Sequence, residues 1–94
     1  MNTLDRITQW YASNCNGDWE HSFGVKIDTL DNPGWTIHID IDETELSGKK
    51  FREIDIQRSH SDWIYCKVSD DVFKGAGGVS NLDELITIFL NWAE

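Results

Sequence analysis

Apolar and aromatic side chains recur at every second position along residues 21–28 and again along residues 35–42. Period-two alternation is typical of a β-strand that buries one face and exposes the other. Between the two stretches, Pro33 has a fixed φ and Gly34 can take a positive φ without steric cost, as a tight turn requires. The pattern therefore predicts an antiparallel hairpin within Gly17–Asp42. Its predicted inward positions are His21, Phe23, Val25, Ile27, Trp35, Ile37, Ile39 and Ile41.

Helical spacing of apolar residues marks both ends of the chain. From Asn2 to about Ser13 the apolar residues fall on one helical face, and Asn2 or Thr3 can cap the first turn. A second helix is predicted after Ser80, the expected N-cap, with Asp83 as the acid of a capping box. The predicted apolar stripes are Leu4, Ile7, Trp10 and Tyr11 in the first helix and Leu82, Leu85, Ile86, Phe89 and Ala93 in the second.

Two further strands are predicted between the hairpin and the second helix, over residues 51–58 and 63–69. Phe51 is out of phase with the isoleucines of its strand, which predicts a bulge or a strand start at Arg52. The predicted inward positions are Ile54, Ile56, Ile64, Cys66 and Val68.

Residues 70–79 are predicted to be irregular, because Gly75, Gly77 and Gly78 lie close together there. Neither the Lys-Ser/Thr of a P-loop nor a strand–GxGxxG–helix order accompanies these glycines, so the sequence does not predict a nucleotide site. A flexible connection or a close approach of backbones explains them better.

The order helix, four strands, helix predicts one α+β domain over residues 1–94, a four-stranded antiparallel meander with both helices packed on one face. The opposite face would then expose carboxylates together with two large aromatic side chains, a composition typical of protein-binding surfaces. An ordinary solvated sheet face is the alternative explanation. The candidate contact residues are Asp40, Asp42, Glu53, Asp55, Trp63 and Tyr65.

The charge balance narrows the range of partners. Seventeen acidic and eight basic residues give a formal net charge of −9, and residues 27–48 carry six carboxylates without one Lys or Arg. Binding to a phosphate backbone relies on Lys and Arg, so nucleic acid is not an expected partner. The acidity serves either solubility or attraction to a basic protein. Without a signal-peptide pattern or a run long enough to cross a bilayer, the sequence predicts a cytoplasmic protein that does not bind membranes.

Several motifs resemble the immunity protein 53 family, whose members are small partners of secreted bacterial polymorphic toxins. The resemblance rests mainly on GDWEHSFGVKI followed by TLDNPGW, and it extends over nearly the whole chain. Outside the hairpin it is carried by Trp10-Tyr11, Cys15, Trp63, Cys66, the glycines after Phe73 and the final helix ending near Trp92. The resemblance implies an inhibitor that binds a cognate toxin and is not an enzyme.

The motif Asp18-Trp19-Glu20-His21 is a second candidate edge for toxin contact. Its alternative role is structural, with Trp19 packed on the first helix and Asp18 or Glu20 bound to loop amides. A metal site using these residues and Cys15 is not expected, since zinc sites usually contain paired Cys or His at short spacing. No cofactor is expected either.

The residues also bear on two other classes of function. Five tryptophans are compatible with a carbohydrate-binding or small-ligand module, although Trp10, Trp35 and Trp92 fall on predicted core stripes. A hydrolase built around His21 or His38 is disfavoured because no nucleophile motif accompanies them. Both cysteines are expected to be free thiols, and the chain is expected to be a monomer or a homodimer.

Overall fold

A computed structural model describes residues 1–94. The elements are α1 (Thr3–Asn14), α2 (Trp19–Ser22), β1 (Val25–Leu30), β2 (Gly34–Asp40), β3 (Ile54–Gln57), β4 (Trp63–Ser69), β5 (Val72–Gly77) and α3 (Leu82–Ala93). The five strands form a single antiparallel sheet in the spatial order β1-β2-β5-β4-β3. The α+β class is therefore confirmed. The predicted four-stranded meander is wrong, because a fifth strand, β5, lies in the middle of the sheet. β2 and β3 are therefore not neighbouring strands.

The predicted hairpin is confirmed as the pairing of β1 with β2, which runs from Val25 opposite Ile39 to Leu30 opposite Gly34. Its first strand is shorter than predicted, because the residues before it form the short helix α2. His21 is consequently exposed on that helix, and the prediction that it faces inward on a strand is wrong.

The largest correction concerns the segment predicted to be irregular. Asp70 and Asp71 both have positive φ, 55° and 56°, and they form a two-residue turn that leads β4 back into β5. Positive φ at both central residues is the conformation of a tight β-hairpin turn whose twist matches the flanking strands. β5 then pairs with β4 on one side and with β2 on the other.

Glycines allow the backbone of β5 to approach its neighbours closely. A Cβ added to Gly75 would lie 2.9 Å from Ile37 Cγ2 and 3.3 Å from Leu85 Cδ2 on α3. A Cβ added to Gly34 would overlap the carbonyl oxygen of Gly77, although Gly34 lacks the positive φ predicted for it. Close approach, one of the two roles predicted for the glycines after Phe73, is thus confirmed in the folded chain.

The two long helices begin differently. Asn2 caps α1 as predicted, since its side-chain oxygen accepts a hydrogen bond from the Asp5 amide at 2.9 Å. In α3 the N-cap is Asn81, one residue after Ser80, and its side-chain oxygen accepts no hydrogen bond from the backbone amides of the first helical turn. The predicted capping box with Asp83 is therefore wrong, and the Asn81 side chain binds carboxylates instead.

One hydrophobic core joins the sheet to α1 and α3, which pack on the same side. The sheet contributes only the inward-facing positions of its strands. Trp10 of α1 meets Phe89 of α3 edge-on, with the ring centroids 4.8 Å apart. The buried core residues are Ile7, Ile37, Ile39, Ile41, Leu46, Ile64, Cys66, Phe73, Leu85, Ile86, Phe89 and Leu90.

The edges of the sheet are less covered than predicted. Ile27 on β1 is 44% exposed and Ile56 on β3 is 41% exposed, because both lie on the outermost strands of the sheet. β3 begins at Ile54, later than Arg52, and Phe51 packs into the core before the strand, with its ring 5.4 Å from that of Phe73.

Both cysteines are free thiols in the structure. Burial raises the pKa of the Cys66 thiol to about 12, so this group stays protonated inside the core. Cys15 is half-buried, and its thiol donates to the carbonyl oxygen of Tyr11 at 3.3 Å. Across the whole chain, no helix combines the length and apolarity that crossing a membrane requires.

Candidate functional site

The side of the sheet turned away from the helices contributes nothing to the core, and we call it the open face. Its members are the outward positions of the five strands. They are Lys26 and Asp28 on β1, Thr36, His38 and Asp40 on β2, Val72, Lys74 and Ala76 on β5, Trp63, Tyr65, Lys67 and Ser69 on β4, and Asp55 and Gln57 on β3.

Two carboxylates and a tyrosine form what we call the acidic sector, Glu53, Asp55 and Tyr65. Asp55 lies directly opposite Tyr65 in the pairing of β3 with β4. The Tyr65 hydroxyl donates to Glu53 Oε1 at 2.7 Å. This hydrogen bond raises the pKa of Tyr65 above its usual value, with burial and the nearby negative charges acting in the same direction. The sector therefore presents a neutral phenol held in place between two negative charges.

Trp63 lies two residues from Tyr65 on the same strand and extends the open face towards the β1–β2 turn. It is half-buried and lines a surface cavity of 220 Å³. The indole nitrogen of Trp63 has no partner within the chain, unlike that of Trp35, which donates to the Val79 carbonyl at 2.9 Å. The cavity lining consists of Asn32, Pro33, His60, Ser61, Trp63 and Val79. Trp63 thus offers a partly exposed ring with a free donor.

The other two predicted contact residues lie apart from this sector. Asp40 is on β2, and its carboxylate accepts a hydrogen bond from the Gly24 amide at 2.9 Å. Asp42 lies beyond the end of β2, where its backbone carbonyl accepts from the indole of Trp19 at 2.9 Å. The structure therefore brings together Glu53, Asp55, Trp63 and Tyr65, with Asp40 and Asp42 separated from them by β5.

The motif at residues 18–21 is divided between structural and exposed side chains. Trp19 is only 3% exposed and packs against Trp10, with the two ring centroids 6.0 Å apart. The Glu20 carboxylate accepts from two loop amides, at 2.9 and 3.0 Å. Hydrogen bonds from its own backbone amide, and then from those two amides, lower the pKa of Glu20. Asp18 and His21 remain exposed, so only these two of the four are free to contact another molecule.

The structure contains no group of three His, Cys, Asp or Glu side chains arranged to hold a metal ion. Glu20 is occupied by its loop amides. Cys15 directs its thiol to a backbone carbonyl.

A run of basic side chains crosses the middle of the open face, and sequence analysis did not find it. Lys26 lies opposite His38, His38 opposite Lys74, and Lys74 opposite Lys67. We call these four residues the basic row. It was missed because it depends on β5, whose residues were predicted to be irregular. Two features of the sequence could have indicated β5. They are the Asp70-Asp71 turn and the apolar pair Val72-Phe73 that begins the strand.

The comparisons with known proteins identify a family. The model of the family described as Immunity protein 53 matches residues 4–94, nearly the whole chain. No curated protein and no solved structure matches.

Proposed function

The chain belongs to the immunity protein 53 family, and we propose that it binds one cognate secreted toxin domain and neutralises it by covering the toxin's active site. The family supports the coarser statement, a role in immunity to a toxin. One-to-one binding, occlusion of the active site and action in the cytoplasm are the parts that we propose. The mechanism requires no turnover and no cofactor.

The open face is the proposed contact surface. The observation that supports this most directly is that one whole side of a five-stranded sheet contributes no residue to the core, whereas the other side packs against α1 and α3. On that open side, Tyr65 and Trp63 provide large aromatic side chains, the residue type that dominates binding energy in protein interfaces. We propose that they anchor the toxin.

The carboxylates around these aromatics have a different role. Glu53 and Asp55 flank Tyr65, in a chain whose formal net charge is −9. Exposed charges of this kind accelerate encounter with an oppositely charged partner and add less to final affinity. A toxin with a basic surface, such as a nuclease where it holds nucleic acid, fits this surface.

Asp40 and Asp42 are proposed to lie at the margin of the interface. The Asp40 carboxylate already links β2 to the segment before β1 through Gly24, so part of its hydrogen-bonding capacity is used within the fold. The exposed pair Asp18 and His21 remains the secondary candidate edge.

Neither alternative class gains a supporting observation. Trp19 is buried, Trp10 packs against the core, and the indoles of Trp35 and Trp92 donate to backbone carbonyls, so four of the five tryptophans are committed to the fold. A carbohydrate-binding module would need such rings to be free for stacking. His21 and His38 are both exposed, with no carboxylate bonded to either ring. A hydrolytic centre needs a base oriented by a third group.

The test is titration calorimetry against the toxin domain encoded beside this protein, at low and moderate salt. We expect tight binding that weakens as salt rises. Tyr65→Ala should weaken binding by roughly 30-fold or more, as loss of an aromatic anchor does. Asp55→Lys should weaken binding mainly at low salt and so reduce the salt dependence of the affinity.

A matched control for the charge reversal is Glu45→Lys, which makes the same change at an exposed position in the loop between β2 and β3. It should bind as wild type does. If folded wild-type protein fails to bind the folded toxin domain, the proposed function is wrong. If Tyr65→Ala and Asp55→Lys both bind like Glu45→Lys, the function stands and the interface lies elsewhere.

A further inference from the structure

The basic row spans four adjacent strands on the open face. Its members face one another directly across the sheet, in the order Lys26, His38, Lys74, Lys67. Neighbouring strands lie about 4.8 Å apart, so the row extends over about 14 Å. Lys67 and Lys74 are half-buried and lie directly opposite each other in the pairing of β4 with β5.

The charges of the basic row are almost uncompensated within the chain. The one ion pair is Lys74 with Asp70, at 4.0 Å, and the Asp70 side chain is 92% exposed. By contrast, Arg6 and Arg58 have carboxylate oxygens at 2.7 and 2.6 Å. Acidic residues outnumber basic ones by 17 to 8, so a shortage of carboxylates does not explain the difference.

Two carboxylates beside the row on the open face have other hydrogen-bond donors. Asp40, two residues from His38, accepts from the Gly24 amide. Asp28, two residues from Lys26, accepts from the Thr29 amide at 2.8 Å. Like charges directly opposite each other on a sheet are destabilising. The Lys67–Lys74 pair therefore opposes folding, and an external anion would relieve it.

We propose that the basic row binds a strip of carboxylates on the surface of the cognate toxin. The inference rests on the proposed function, and it adds that the toxin surface is acidic opposite the middle strands. An acidic protein strip fits better than nucleic acid, because Asp28 and Asp40 lie on either side of the row and the net charge of −9 opposes a broad polyanion.

The open face therefore carries positive charge along the basic row and negative charge in the acidic sector beside it. The complementary partner surface has carboxylates bordered by basic side chains. Such alternation fixes the register of docking, because a shift of one strand brings like charges together. The same pattern discriminates against toxins whose surface carries a single sign of charge.

The test compares two double charge reversals against the cognate toxin domain by titration calorimetry. Lys67→Glu/Lys74→Glu reverses the centre of the basic row. Lys50→Glu/Arg52→Glu makes the same change in charge at exposed residues outside every strand. The row variant should lose roughly 100-fold or more in affinity, because buried charge contacts become repulsive. The control should stay within about threefold of wild type, through long-range charge alone.

A milder variant separates binding from folding. Lys67→Gln/Lys74→Gln should weaken toxin binding and also raise the Tm of the free protein by about 2–6 °C, since the repulsion between the two lysines is removed. If Lys67 and Lys74 served only to pack the sheet, the double variant would not combine a higher Tm with weaker toxin binding. A wild-type titration with a single-stranded oligonucleotide should give no binding.

The outcomes distinguish this inference from the proposed function. If wild type and the control bind the toxin and the row variants bind equally well, the acidic strip is wrong while the function stands. If wild type does not bind the toxin at all, both are wrong. Oligonucleotide binding that the row variants abolish would assign the row to nucleic acid and overturn the inference.

Discussion

Two groups of charged side chains in this protein differ in how their charges are compensated. The first, which we call the polar clamp, consists of Arg58, Asp62, Asn81 and Glu84. Arg58 donates to Asp62 Oδ1 at 2.9 Å and to Glu84 Oε2 at 2.6 Å, and Asn81 donates to both carboxylates at 2.9 and 3.0 Å. The second is the basic row, whose one ion pair is 4.0 Å long and exposed.

The polar clamp performs a structural task. It connects the turn between β3 and β4, which contains Arg58 and Asp62, to the start of α3. Hydrogen bonds from Asn81, and then from Arg58, lower the pKa of Asp62, and those from Arg58, and then Asn81, lower the pKa of Glu84. One atom is left over: Asn81 Oδ1 is buried without a partner, because the amide nitrogen is turned towards the two carboxylates.

The polar clamp pairs its charges within the fold, whereas the basic row leaves most of its charge without a partner inside the chain. In the polar clamp every ionised group faces an opposite charge at short distance, so its partners are already inside the molecule. In the basic row Lys67 lies opposite Lys74, and the one carboxylate near either of them is the exposed Asp70 at 4.0 Å. This difference supports our proposal that a toxin binds the open face and not the clamp.

The largest expected effect on stability comes from adding a methyl group to the tightly packed backbone beside the polar clamp. In Gly78→Ala, the new Cβ would overlap the Ser61 carbonyl oxygen and lie 2.8 Å from Asn81 Oδ1. We expect a loss of about 3 kcal/mol in the free energy of unfolding, as overpacking against backbone causes. Urea denaturation measures it. The control is Gly24→Ala, whose Cβ meets no atom within 4 Å. Equal stabilities for the two variants would contradict the close approach at Gly78.

A smaller loss of stability is expected when Arg58, the cation of the polar clamp, is replaced. The folded-state pKa values of Asp62 and Glu84 lie below the usual 3.8 and 4.5. The stability they contribute is therefore present above those usual values and is lost as pH falls through the lower folded-state values. Arg58→Gln should lower the Tm by a few degrees at neutral pH, and the difference from wild type should shrink below about pH 4.

The measurement for Arg58→Gln is Tm by circular dichroism between about pH 3 and pH 7, the range in which carboxylates and histidines titrate. Arg52→Gln is the matched control, since Arg52 is exposed and has no carboxylate partner. It should follow wild type throughout. Arg58→Gln should also change the Tm in the opposite direction to Lys67→Gln/Lys74→Gln. A rise in Tm for Arg58→Gln would contradict the contrast between clamp and row.

The smallest effect concerns the acidic sector, where one hydrogen bond joins Tyr65 to Glu53. Glu53→Gln removes the negative acceptor that raises the pKa of Tyr65, so that pKa should fall towards the usual 10.0. Ultraviolet absorbance of the phenolate follows the titration in a Tyr11→Phe background, which leaves one tyrosine in the chain. The matched control is Asp28→Asn on β1. An unchanged pKa in Glu53→Gln would show that the hydrogen bond does not form in solution.

Local pattern alone predicted a large part of the fold. The residues of β4 were predicted with their observed bounds, and the buried parity of Ile37, Ile39 and Ile64 was correct. Both long helices were placed within about two residues, because helical and strand periods are properties of consecutive side chains. The acidic sector followed from the same alternation, since Asp55 and Tyr65 lie on the outward parity of β3 and β4 and Glu53 directly precedes β3.

The main failure was β5, and its physical reason is specific. Strand propensity largely measures how a side chain packs against its neighbours. Gly75 and Gly77 have no side chain, so their preference for a strand was invisible in the sequence. They are required only because α3 and the neighbouring strands approach so closely there that a Cβ would not fit. The wrong N-cap of α3 has a similar origin, since the clamp engages the Asn81 side chain.

The sequence by itself determined the class of the fold, most of the inward residues of four strands, the acidic balance and the resemblance to immunity proteins. All of these are read from composition or from neighbours along the chain. The tertiary structure decided that β5 lies between β2 and β4. That placement creates the basic row, because Lys26, His38, Lys74 and Lys67 come from four strands and meet only through cross-strand register. Contacts between distant segments depend on packing, which no local pattern encodes.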